Sequence, residues 1–479
     1  MARSEFNTFD TVEYIWQQLA LPREALQSCN LEEAGHILPS SFKIGHLGQA
    51  SIALSGLAAA LVDSHHNKTS VRNISGSAQH AAVEFASERL YSVNGQPASS
   101  SWGPIGGLHK TKDGYVRMHD SFINHRLAAL KILGLRGDAS KEEVARKILE
   151  WKALELEKEA MKNKAVIYAL RSYEEWDVLP QAQAVPEFPI SIRKISDEGS
   201  SGVPKHMPLK ADKCLRGLRV LEFSRVIAAP VAGKTLAAHG ADVLWITSPN
   251  LPSLSTLDID VSRGKRTIQL DLNETRDVET LKHLVKDADV FLQSYRPGSF
   301  SARGFGPIEL ARTRPGIICA NLSAWGNEGL WSENRGFDSI VQTVSGMNVS
   351  EAKHFDPSNS TPAKAMPVQA LDHAAGYLLA TGISAAVYKR ALEGGSWEVN
   401  VSLADVMKYS RSLGQLNGRD GFEGDVAMPE QLVAEEMLEE RDCNFGALKA
   451  VRHSVTVEGK TVGWDVMPKE LGGDEAEWL

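Results

Sequence analysis

Residues 218–247 read LRVLEFSRVIAAPVAGKTLAAHGADVLWIT, and the grouping of their apolar residues decides the fold class. LRVLEF and ADVLWIT are continuous apolar runs of strand length. Between them PVAGKTLAAHG is alanine-rich and closes on Gly240, as helices do. The alternation continues with RTIQLDL at 266–272, a helical stretch from Glu274 to Lys286, DVFLQSY at 289–295 and GIICANL at 316–322. Short apolar runs separated by helices predict an α/β fold with a parallel sheet covered on both faces. Ligands on such sheets bind beyond the carboxyl ends of the strands, here in the loops carrying Arg225, Ser248 and Arg296. No GxGxxG follows the first strand, which removes the main support for a nicotinamide or flavin enzyme.

The chain has 479 residues, 43% of them hydrophobic, and a formal net charge of -8. That length suits two or three domains with full cores. The acidic balance gives no global field toward nucleic acid or an anionic membrane, so local arginines must bind any phosphate. Cys29, Cys214, Cys319 and Cys443 lie far apart, and His65, His66, His109 and His119 lack carboxylates at ligand spacing. Neither a disulfide frame nor a metal site is expected. The start, MARSEFNTFDTVEYIWQQL, carries acidic residues where a leader needs an apolar run, and no uninterrupted apolar stretch of about 18 residues occurs. The expectation is a cytoplasmic protein without a membrane partner.

Upstream, HLGQASIALSGLAAALV at 46–62 has small apolar residues at helical spacing and predicts a buried helix. Asp113-Gly114 marks a hairpin turn within WGPIGGLHKTKDGYVRMHDSF, and Ser140 with Glu143 opens an amphipathic helix in SKEEVARKILEWKALELEKEAMKNK. The proline-rich residues 180–208 read as an extended connector. A weak repeat links ALDHAAGYLLATGISAAV to KIGHLGQASIALSGLAAAL: Gly382 pairs with Gly56 and Asp372 with His46, both 326 residues apart, and Ser402 pairs with Ser75 at 327. A tandem duplication explains the near-constant offset; chance likeness of two Ala/Gly-rich helices is the alternative.

Residues 215–410 resemble the family III CoA-transferases, the CaiB/BaiF group of formyl-CoA and carnitinyl-CoA transferases. LRGLRVLEFSRVIAAPVAGKTLAAHGADVL is similar to that family's opening strand, loop and helix; GKRTIQLDL, ADVFLQSYRPG, GFDSIVQTVSG and the Asp372 helix follow in the family's order. The resemblance implies a Rossmann-like large domain at 215–418, a small α+β domain at 101–190, a linker at 191–214 and a C-terminal return at 419–479. Residues 1–100 are a helical segment resembling a partial repeat of the large domain. The small domain precedes the large one here, a rearranged order that a tandem fusion would explain. A homodimer is the family expectation, with a pseudo-dimer within one chain as the alternative.

What the resemblance implies chemically centres on Asp372, a carboxylate that attacks an acyl-CoA thioester and passes CoA to a free carboxylic acid through aspartyl anhydride and aspartyl-CoA intermediates. An ordinary helix cap is the other role open to it. Asp338 matches a second acidic position of the family, or caps the helix that follows it. The resemblance places CoA, a substrate rather than a bound cofactor, against Arg225, Val226, Ile227, Ala228, Ser294, Tyr295, Arg296, Arg303 and Arg335. Gly106 and Gly107 resemble the family's mobile glycine loop, and a plain turn explains them too. Phe337 stands where the racemase branch of the superfamily keeps a histidine base, which makes a 2-methylacyl-CoA racemase the runner-up. A non-catalytic CoA-binding protein is the third reading.

Overall fold

The computed structural model describes residues 2–32, 35–358 and 360–479. Asn7 opens α1 (Thr8–Gln18) through a capping box, accepting the Asp10 N–H while the Asp10 carboxylate accepts the Asn7 N–H, both at 2.9 Å. Helix α2 (Ile44–Asn67) is small and apolar all round, so it is stable only where every face is covered. It runs through the main core, and α3 (Ala78–Glu84) packs beside it. By length and composition α2 could cross a membrane, although polar residues interrupt its apolar run. Yet 89% of its most apolar window is buried in protein.

The small domain is an antiparallel sheet of β1 (Gly107–Lys110), β2 (Tyr115–Met118) and β3 (Ile167–Ala169), covered by α4 (Ile123–Ile132), α5 (Lys141–Ile148) and α6 (Ala153–Lys162). Ser140 and Glu143 form the expected capping box, but the single helix read from there is two. The hairpin turn breaks it: Lys112 N–H donates to the Trp151 carbonyl (2.9 Å), and Asp113 Oδ1 accepts the Ala153 N–H (2.8 Å), starting the second helix.

Seven strands build the large sheet: β4 (Ser191–Ser196), β5 (Arg219–Phe223), β6 (Asp242–Thr247), β7 (Lys265–Gln269), β8 (Val290–Gln293), β9 (Ile318–Ser323) and β10 (Ser396–Ser402), in the order β7-β6-β5-β8-β9-β10-β4. All pairs are parallel except β4 against β10. The start of the stretch read as a linker, 191–214, is thus an edge strand. An exposed antiparallel edge tolerates the polar run SIRKIS, and Arg193 Nε donates to the Glu398 carboxylate across it at 2.6 Å. The helices of this part include α7 (Ala228–Ala238), α8 (Thr275–Val285), α9 (Pro307–Thr313), α10 (Asp338–Val344), α11 (Ala370–Glu393) and α12 (Leu403–Ser412). The strand order reverses between β5 and β8, which opens a crevice beyond their carboxyl ends. C-terminal residues return to both parts: Val455–Val457 pairs with Ile74–Gly76, and Trp464 Nε1 donates to the Lys234 carbonyl of α7 at 2.9 Å.

Helices α2 and α11 each have 24 residues and start 326 residues apart (370 − 44). They pack along each other, and in both a glycine faces a valine, Gly56 against Val455 and Gly382 against Val399, too closely for a Cβ. Capping aligns Ser402 with Ser77 rather than Ser75, because these two serines cap α12 and α3. The likeness also reaches the N-terminus, where Phe9-Asp10-Thr11 corresponds to Phe337-Asp338-Ser339. At the positions that match Asp372 and Ser339, His46 Nε2 and Thr11 Oγ1 bond to each other at 2.7 Å.

Gly376 lets α11 touch the start of α7, since a Cβ there would sit 2.5 Å from the Ala228 carbonyl oxygen and 2.7 Å from Val231 Cβ. Gly376→Ala must push the two helices apart. We expect a loss of about 1–3 kcal/mol of stability, read as a lower thermal midpoint; an unchanged midpoint would show that the contact is slack.

Candidate active site

Asp372 is the third residue of α11, only 7% exposed. Among the described residues none donates a hydrogen bond to its carboxylate, which lines two cavities at once. Its backbone is held by Asp338, whose Oδ2 accepts the N–H groups of Leu371 (2.8 Å) and Asp372 (3.1 Å), while Gln342 Nε2 donates to Asp338 Oδ1. Asp338 therefore caps α11 rather than its own helix, α10. A place at the start of a helix favours an ionised carboxylate. Instead burial, then the charge of Asp338, then that of Glu88 hold its carboxyl well above the usual carboxylate range. Burial raises Asp338 as well, against the hydrogen bonds it accepts.

If Asp372 acts as a nucleophile it must be ionised, and turnover should then rise with pH through its raised pKa. Asp338→Asn removes the nearest like charge and leaves an oxygen to accept the Leu371 and Asp372 N–H groups. The acid limb of kcat/KM should then move to lower pH; an acid limb that stays put or moves upward would contradict this arrangement.

The first cavity, about 360 Å³, lies in the crevice of the large sheet. Arg225, Val226, Ile227 and Ala228 line it after β5, Ser294, Tyr295 and Arg296 after β8, and Arg335 before α10. The first of these loops is pinned: Trp245 Nε1 donates to the Ser224 carbonyl (3.1 Å) and the Lys265 ammonium to the Pro230 carbonyl (2.8 Å). Val226 sits at φ +75°, a strained conformation for a β-branched residue. Arg225 lies over the rings of Phe122 (4.9 Å) and Tyr295 (5.6 Å) and donates to the Pro252 carbonyl. Arg296 and Arg335 have no carboxylate within 4 Å among the described residues. Burial, Arg335, Arg225 and Arg296 together push His125 down to about 4. A cluster of guanidiniums without a counter-ion is a site for an anion.

The second cavity, about 460 Å³, has Asp338, Gln342 and Met366 on one side and the N-terminal half's Glu88, Arg89, Trp102, Arg117 and His119 on the other. Phe337 lines both cavities, and the His119 ring stacks on it at 3.9 Å, nearly parallel. Burial, then His125 and Arg117, hold His119 near 3, so it is neutral at neutral pH.

Eight of the nine residues expected against CoA thus share one cavity. Arg303 and the two loop glycines lie elsewhere. Arg303 donates to the Leu272 carbonyl (2.7 Å) and Asn273 Oδ1 (3.1 Å). Gly106 makes room for the Asp120 carboxylate, 2.2 Å from where its Cβ would be, and Gly107 begins β1 at φ +108°. Phe122, His125, Arg117 and Trp102 escaped the sequence reading; only tertiary packing brings the small domain onto the crevice, and no local pattern marks it.

The family model described as CoA-transferase family III matches residues 215–414. An acyl-CoA transferase of Gibberella moniliformis is 28% identical over 312 residues, 62% of this chain and 54% of that protein. The succinyl-CoA:glutarate CoA-transferase of Homo sapiens is 30% identical over 158 residues, 30% of this chain and 36% of that one. The alpha-methylacyl-CoA racemase of Mus musculus is 29% identical over 199 residues, 42% and 50% of the two chains. The chain spans about half the length of the first curated relatives it matches. The stretch similar to CoA-transferase family III, residues 215–414, holds Asp338, Asp372 and the arginine-bearing loops.

Proposed function

We propose that the chain is an acyl-CoA:carboxylate CoA-transferase with Asp372 as nucleophile. The observation that carries this reading is the placement of one unpartnered carboxylate where two cavities meet, one of them ringed by Arg225, Arg296 and Arg335. The arginine-lined cavity takes the phosphates of CoA; the other takes the acyl group and the acceptor acid. Asp372 attacks the thioester carbonyl, the C–S bond breaks, and a mixed anhydride and CoA thiolate result. The thiolate attacks the Asp372 carbonyl and releases the first acid. The acceptor carboxylate then attacks the aspartyl-CoA thioester, and the returning thiolate takes the new acyl group and frees Asp372. The cycle consumes no oxidant and needs no metal. Free N–H groups at the start of α7, which opens on the first cavity, supply dipoles for the oxyanion.

The racemase reading draws on the mouse relative. Phe337 speaks against it, since a phenyl ring accepts no α-proton, and His119 on its face is a weak base. Both halves of the chain wall the cavities, which supports a fused pseudo-dimer with a single complete site. Incubating the protein with acyl-CoA donors and acceptor acids in heavy water separates the chemistries by mass spectrometry. CoA transfer without deuterium at the α carbon is the expected result; deuterium uptake without transfer would replace this reading by the racemase.

A further inference from the structure

The acyl cavity has seven titratable side chains on its wall, and most are accounted for by partners. Glu88 accepts from His373 Nε2 at 2.9 Å and faces Arg89 at 3.6 Å. Arg89 Nε donates to Glu430 at 2.7 Å and its NH2 group to the Pro367 carbonyl at 3.1 Å. Asp338 is occupied by two backbone N–H groups and Gln342. His119 is stacked and neutral. Two of the titratable groups are left without a hydrogen bond or an opposite charge within 4 Å among the described residues: Asp372 and Arg117.

Arg117 is fixed by its strand. In β2 the neighbours Val116 and Met118 point into the small-domain core, so Arg117 and His119 share the opposite face, toward α10 and the cavity. Asp338 acts on Arg117 through its charge but makes no hydrogen bond to it, and a half-buried guanidinium without a bonded carboxylate is costly unless a ligand supplies one. Asp372 fixes where the reacting carbonyl sits, and Arg117 stands elsewhere on the wall of the same cavity.

Building on the proposed CoA-transferase reading, we infer that Arg117 binds a second carboxylate on the substrate, so that the acids exchanged by this enzyme are short dicarboxylic acids and their mono-CoA thioesters. The planar fork of the guanidinium suits bidentate carboxylate recognition, and a monocarboxylic acid of equal length would leave it unpaired.

The test compares acceptors matched in length, succinate with butyrate and glutarate with valerate, in wild type, Arg117→Gln and Arg117→Lys. Wild type should favour each diacid by about 10²-fold in kcat/KM, the lysine variant should keep part of this preference, and the glutamine variant should bring the ratio close to one. A purely structural role would lower both members of each pair by the same factor and leave the ratio intact, overturning the inference, as would a wild-type preference for the monoacids. The binding of succinyl-CoA and butyryl-CoA, measured by calorimetry on the same proteins, keeps the two proposals apart. Absence of transfer to every acid sinks the transferase reading alone if succinyl-CoA still binds more tightly in an Arg117-dependent way; equal binding of the two thioesters in wild type sinks the dicarboxylate inference.

Discussion

Asp372→Ala abolishes CoA transfer, with kcat/KM falling by a factor on the order of 10⁴ or more, because every covalent step of the proposed cycle passes through that carboxylate. Structural damage would be a poor explanation for the loss. No described residue leans on the Asp372 carboxylate by a hydrogen bond, and the α11 backbone is capped by Asp338 instead. Asp372→Asn should in fact stabilise the fold. Its carboxyl is raised above its unfolded value, so the folded state binds the proton more tightly. Both states are protonated well below pH 4, and there the aspartate costs nothing. As pH rises the folded protein must keep the proton or ionise a buried group beside Asp338, and stability is lost. The gain from asparagine should therefore be absent in acid and grow toward neutrality, reaching on the order of 1 kcal/mol. Thermal melts of both proteins at low and neutral pH check the sign. A variant that is inactive and less stable at neutral pH would point to a structural aspartate.

Arg296→Ala together with Arg335→Ala should raise KM for acyl-CoA by about 10²-fold or more while kcat changes less, since phosphate contacts bind ground state and transition state alike. Each guanidinium is within the field of the others, and burial, Arg296 and Arg225 lower Arg335 itself. An empty cavity thus carries self-repulsion that the phosphates of the proposed CoA substrate would relieve. Removing two of the charges should let His125 rise from about 4 toward its ordinary range, observable by NMR titration of the ring. A double variant with unchanged KM and an unchanged His125 would place CoA elsewhere.

The parallel sheet was legible because β5, β6, β8 and β9 are buried on both faces and read as continuous apolar runs. Asp372 was legible as a lone carboxylate at the start of an alanine-lined helix. Less visible was everything set by distant contact. Asp338 caps a helix more than thirty residues away, which a local cap pattern misassigns to the helix that follows it. Ser191–Ser196 is polar and sits among prolines, so its pairing with β10 had no apolar signature. The amphipathic period runs past Glu150 although the hairpin turn interrupts the helix there. Arg117, His119 and His125 are single polar residues in a hairpin and a short helix. Their meaning comes from the stacking of His119 on Phe337, a residue more than two hundred positions downstream.

Borohydride trapping of the full-length protein during turnover, followed by peptide mapping, tests the central claim most directly. With acyl-CoA present, the peptide spanning α11 should carry homoserine in place of Asp372, and the conversion should vanish without acyl-CoA and in the Asp372→Asn protein. Vigorous CoA transfer with Asp372 left unmodified, or reduction of a different carboxylate, would contradict the account.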